Sequence, residues 1–153
     1  MESVWDYPRP PRLERTPNRV TVVHRGVTVV DSQRCLRVLE TSHPPVYYVP
    51  RDEVLAGALE AAAGRSFCEF KGTANYWDLV VGDTRVRDAA WSYEHPEPAY
   101  ADLTGAVAFY PGRVDECTVA GEVVRPQEGD FYGGWITDDI TGPFKGGPGT
   151  RGW

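Results

Sequence analysis

Lysine is almost missing from this 153-residue chain, which holds fourteen arginines and only two lysines, Lys71 and Lys145. Other shortages narrow its chemistry further. No stretch approaches the roughly 18 consecutive apolar residues of a membrane helix. The opening segment MESVWDYPRPPRLERTP has no apolar core of the signal-peptide kind, so the expectation is a cytoplasmic protein without membrane contact. Cysteine is scarce and odd in number: Cys35, Cys68 and Cys117 lie far apart, a poor disulfide framework that fits a reducing compartment. There is no C-x-x-C or H-x-x-x-H, and His24, His43 and His95 are scattered, so neither a metal site nor a cofactor is expected. Positive charge is not in surplus. A net charge of −6 argues against general nucleic-acid binding, although a local basic patch can still hold one phosphate.

Length fits one domain, and hydrophobic content of 41% with 25% charged residues is ordinary for a globular chain. Residues 1–18 form an arm dense in proline and arginine around Trp5 and Tyr7. Such a segment should run extended and pack on its own domain or on a second subunit, which leaves room for a homodimer built through the arm. Residues 19–153 read as a single β-rich domain. RVTVVHRGVTVVDS is two valine runs around Arg25-Gly26, and the scheme recurs around Gly82-Asp83 and around Ala120-Gly121. Three hairpins predict an antiparallel sheet protein. The Ala/Leu/Glu-rich stretch PRDEVLAGALEAAAGR predicts one short helix over about 51–63, and HPEPAYADL a further turn near residue 100. From residue 127 glycine dominates, yet Phe131, Tyr132, Trp135, Phe144 and Trp153 remain. The expectation is a tail that wraps the domain and docks its rings.

The stretch FCEFKGTANYW is the main candidate for chemistry. Read as a strand, it puts Lys71, Thr73, Asn75 and Trp77 on one face. Cys68, Phe70, Gly72, Ala74 and Tyr76 then share the other, where the small residues leave a trough beside Tyr76. Such a trough admits either a ligand or a crossing strand. A lysine among aromatic rings can serve as base or nucleophile, can grip a phosphate or carboxylate, or can simply pack its stem. Cys68, three residues earlier, would need a bulge or turn to meet Lys71; otherwise it is a buried, inert thiol. In ETSHPPVYYVP, His43 is a candidate proton carrier with Glu40 orienting it and Tyr47 and Tyr48 nearby; a plain loop histidine is the other reading. Trp91 and Tyr93 share a strand face, either as core or as a stacking wall for a flat ligand. Asp138 and Asp139 are adjacent and point apart on an extended chain. Near Lys145 there is no G-x-x-x-x-G-K-[ST], so the tail reads as structural.

Taken in order, LETSHPPVYYVP, FCEFKGTANYWDL, AAWSYEHPEPAYADLTGAVAFY and GGWITDDITGPFKG resemble the bacterial family catalogued as domain of unknown function 427, over about residues 19–147. The aromatic-Cys-x-aromatic-Lys-Gly-x-Ala stretch carries most of the resemblance. Many members have proline after that cysteine, where this chain has Glu69. The resemblance implies a tent-like domain of two antiparallel sheets meeting at an angle, without zinc cysteine pairs. The family is sometimes filed under a nucleotidyltransferase-like name, but no Asp-x-Asp pair or Gly-Ser loop appears in this sequence. The resemblance also strengthens a pocket role for Lys71 and leaves Lys145 with the tail. Two functions are then in view. One is a binding module for a flat, anionic or carbonyl-bearing small molecule, using Lys71, Trp91, Tyr93, His43, Tyr48, Tyr76 and Glu40. The other is an enzyme with Lys71 or Cys68 as nucleophile and His43 carrying the proton. A third reading is a protein-interaction module acting through arm and tail.

Overall fold

Alternating valines build the first layer. The computed structural model describes residues 1–129 and 131–153. Its strands run β1 (Glu2–Ser3), β2 (Arg12–Arg15), β3 (Val20–His24), β4 (Val27–Ser32) and β5 (Leu36–Leu39). Then follow β6 (Val46–Tyr48), β7 (Leu59–Cys68), β8 (Gly72–Val81), β9 (Thr84–Ser92) and β10 (Val107–Phe109). The last are β11 (Glu116–Val119), β12 (Glu122–Val123), β13 (Arg125–Pro126), β14 (Trp135–Ile136) and β15 (Ile140–Thr141). In β3, Val20, Val22 and His24 turn inward while Thr21 and Val23 are half-buried, the period of two expected of a strand with one covered face.

The expected hairpins are present. Arg25 and Gly26 join β3 to β4 with φ of 51° and 75°, and Ala120 and Gly121 join β11 to β12 with φ of 50° and 84°. Positive φ at both central residues matches the right-handed twist of the strands they connect. Gly82-Asp83 joins β8 to β9, with Val81 opposite Thr84.

Three principal sheets result, in strand orders β12-β11-β3-β4, β10-β9-β8-β7 and β2-β5-β6. The latter two are stitched by Val49 and Val107, which exchange both backbone hydrogen bonds at 2.8 Å. Together they form a seven-strand wall facing the valine sheet. The main core fills the space between, with Val20, Val22 and Val30 meeting Val49, Leu79, Phe109 and the fully buried Trp135. The mainly β, antiparallel class holds, with the sheets divided more finely than two. The other face of the wall carries a second, aromatic cluster that includes Tyr48, Trp91, Tyr93 and Tyr110. Neighbours in sequence divide between the two: Tyr47 enters the main core and Tyr48 the aromatic one.

The helix expected over 51–63 does not form. Arg51–Glu53 makes one 3-10 turn, and Leu59–Cys68 is the edge strand β7. Gly57, at φ +81°, turns the chain between them. Pairing along β8, with Leu59 opposite Leu79 and Phe67 opposite Thr73, outweighs helix propensities of a few tenths of a kcal/mol per residue. A 3-10 turn does occupy Pro98–Leu103. The arm uses regular pairing despite its prolines: β1 runs parallel to β15, and β2 pairs antiparallel with β5. The tail wraps as expected. Trp153 meets Trp5 edge-on at 5.2 Å, Tyr132 and Phe144 are half-buried, but Phe131 stays 61% exposed.

Candidate functional site

A cavity of about 440 Å³ opens on the aromatic face of the wall. Glu40, His43, Tyr48, Cys68, Lys71, Tyr76, Trp91 and Tyr93 all line it, so every candidate named from the sequence converges there. Four segments contribute: the loop and strand around His43 and Tyr48, the β7–β8 hairpin with the end of β9, Tyr110 just after β10, and the tail. Ala74, small and buried, supplies the floor space that a larger side chain would fill.

Lys71 does not share a strand face with Thr73 and Trp77. It sits in the turn between β7 and β8, where strand alternation no longer applies, and joins Cys68, Phe70, Ala74 and Tyr76 on the cavity lining. Trp77 instead packs toward the main core, with the Arg51 guanidinium 4.6 Å from its ring. The turn is what brings Cys68 and Lys71 to the same space. Gly72, at φ +109°, lies against the crossing segment at His95–Glu97, and the Glu97 N–H donates to the Lys71 carbonyl at 3.0 Å. The trough thus meets a crossing loop segment at Gly72 and open space at Ala74.

The Lys71 side chain is only 8% exposed, yet no ion pair with it forms among the described residues. Its Nζ lies 5.9 Å from the centre of the Tyr93 ring. Lys145 reaches the same cavity from the tail, with Nζ 5.8 Å from the Tyr132 ring, and it too has no carboxylate partner among the described residues. The tail position expected for Lys145 is therefore also a cavity position.

His43 Nδ1–H donates to the Thr41 carbonyl at 2.9 Å, so Thr41 rather than Glu40 holds the ring. Glu40 is taken by Arg9 of the arm at 3.2 Å. Burial holds the His43 imidazole below its usual range, and the Lys145 and Arg9 charges act the same way; the Thr41 carbonyl and Glu40 oppose them. Burial pushes the phenols of Tyr48, Tyr93 and Tyr110 upward, so these hydroxyls keep their protons at neutral pH. Trp91 Nε1 donates to the Tyr48 hydroxyl at 3.2 Å, Tyr110 donates to the Phe131 carbonyl at 3.1 Å, and Ser66 and Tyr76 hydroxyls pair at 2.8 Å. Trp91 and Tyr110 rings pack 4.6 Å apart, fixing the wall. Cys35 and Cys117 lie in the main core, where burial raises their thiols to about 11 and about 12.

Sequence reasoning missed the residues that hold the tail in place. Gln127 is buried; its side-chain amide donates to the Lys145 carbonyl and accepts from the Gly134 N–H at 3.1 Å. Lys145 N–H donates to the Ser42 carbonyl at 2.8 Å. Gly133 lies flat on the Trp91 indole, where a Cβ would stand 2.2 Å from the nearest ring carbon. The clue available was the repeated glycine in FYGGW; its meaning depended on a tryptophan forty-two positions earlier. Among the described residues, no three His, Cys, Asp or Glu side chains converge as a metal site would require. No helix among them is long and apolar enough to cross a membrane.

The family model described as Domain of unknown function (DUF427) matches residues 12–120. The chain belongs to that family. No curated protein matches it. In this DUF427 chain the matched span supplies His43, Tyr48, Cys68, Lys71, Trp91 and Tyr93. Tyr132, Gly133 and Lys145 come from beyond it, so the two lysines of the cavity lie on either side of that boundary.

Proposed function

We propose that this DUF427 protein is a cytoplasmic binding module for a small, flat, anionic molecule, held in the cavity around Lys71. One observation carries the reading. The only two lysines of the chain both line a single aromatic cavity, and neither meets a carboxylate among the described residues. A buried ammonium without a counter-charge costs stability, so its retention there is best explained by a ligand that supplies the charge. Trp91 and Tyr93 offer faces for a flat group, and protonated tyrosine hydroxyls offer donors. Three free thiols favour the reducing cytoplasm.

The enzyme reading draws on Cys68 and a His43 held neutral in the same cavity. It ranks second because no hydrogen bond joins His43 to Cys68 or Lys71 among the described residues, whereas an activated nucleophile needs its base within reach. The test is thermal melting against nucleotides, sugar phosphates and carboxylates. A ligand at a hundred times its Kd adds about 2.7 kcal/mol, which for a chain of this size raises Tm by roughly 5–10 °C. The expected result is such a shift in the wild type and none in Lys71→Ala. If no compound moves the wild type at millimolar concentration, the reading fails.

A further inference from the structure

Resting on that reading, we infer that the ligand carries two negative charges and that Lys71 and Lys145 each neutralise one. The charges around the cavity are few. Lys71 and Lys145 are positive, and Glu40 is matched by Arg9. Glu69 is exposed at the turn and forms no ion pair with either lysine among the described residues. His43 has its Nδ1–H turned to the Thr41 carbonyl, and the remaining titratable groups of the lining are the Cys68 thiol and tyrosine phenols. Two ammonium groups therefore line one space of about 440 Å³, and neither forms an ion pair among the described residues. A monoanion would leave one of them unpaired beside low-dielectric walls, while a dianion satisfies both.

The approach of the two lysines is also distinct. Lys71 comes from the β7–β8 turn over Tyr93, and Lys145 from the tail over Tyr132. The tail lysine is set deliberately: its N–H is bonded to Ser42, and its carbonyl to the buried Gln127 amide. Gly146, next along, lies so close to Glu128 that a Cβ would stand 1.9 Å from that residue's carbonyl oxygen. A floppy tail would need none of these. The second charge belongs to the built wall of the cavity, and Lys71 is more than nine-tenths buried as the first. The two charges of the ligand sit either on one group, as in a phosphate monoester, or on two groups across a ring, as in an aromatic dicarboxylate.

Calorimetric titration of the full chain at pH 7.5 and constant ionic strength separates these cases. The probes are benzoate, isophthalate and phenyl phosphate, which share one ring and differ in charge and its placement. At least one dianion should bind about tenfold more tightly than benzoate, and whichever does so identifies one charged group or two. Lys71→Met and Lys145→Met should each erase that preference, with melting curves showing both variants folded. Equal binding of benzoate and the dianions overturns the inference and leaves anion binding standing. So does an intact preference in Lys145→Met. Binding of no probe overturns both the inference and the reading beneath it.

Discussion

Arginine and lysine are kept apart in this molecule, and the separation distinguishes its outer shell from its cavity. At least nine of the fourteen arginines pair with carboxylates. Many of these pairs pin distant segments together. Arg37 on β5 binds Glu14 on β2 and Glu2 on β1; Arg85 on β9 binds Asp78 on β8 and Glu60 on β7; Arg51 reaches Glu94 at 2.8 Å. The planar guanidinium fork suits such work because it meets a carboxylate with two donors at once. Lysine, a compact charge on a flexible stem, is found only in the cavity, with no carboxylate partner among the described residues. Positive charge is therefore divided by residue type: most arginines are paired within the chain, and neither lysine meets a carboxylate among the described residues.

Among the paired arginines the largest effect is expected at Arg37. Its side chain is 13% exposed and its partners anchor the arm to the sheet. Arg37→Met leaves Glu14 and Glu2 without their shared cation and should cost about 1.5–3 kcal/mol, read by chemical denaturation, with ligand binding unchanged. A variant of wild-type stability that lost binding would place Arg37 on the wrong side of the division.

A smaller effect sharpens the cavity side. The folded-state value of His43 is lowered, so below about pH 6.5 the unfolded chain binds more protons at this site than the folded one. Its contribution is complete above that pH and is lost as pH falls from there through the lowered folded-state value. Melting temperatures measured from pH 7.5 down to 5 should therefore decline less steeply in His43→Gln than in the wild type. Parallel curves would mean that His43 does not feel the cavity's burial and charge.

Local signals in the sequence were legible where the chain acts locally. Arg25-Gly26 and Ala120-Gly121 announced tight turns because glycine accepts positive φ, and alternating valines announced the faces of β3 and β4. The stretch 51–63 misled because alanine-rich composition speaks only to intrinsic preference, while β7 is held by its pairing with β8; Gly57 was the local warning. The candidate residues of the cavity were legible as residue types, in part through family resemblance. Their arrangement was not. Lys71 left its expected strand face because it lies in a turn, and the Glu40 carboxylate bonds Arg9, thirty-one positions earlier, and not the His43 ring. Lys145 reaches the cavity through contacts to Ser42 and Gln127 that no local pattern encodes.

If Lys71 serves a ligand and not the fold, removing its charge should leave the protein no less stable. The direct test is the melting temperature of Lys71→Met with no ligand present. Methionine keeps the apolar stem and removes the buried, unpaired charge, so the variant should melt at or above the wild-type temperature. A variant melting several degrees lower would contradict the claim and make Lys71 a packing residue.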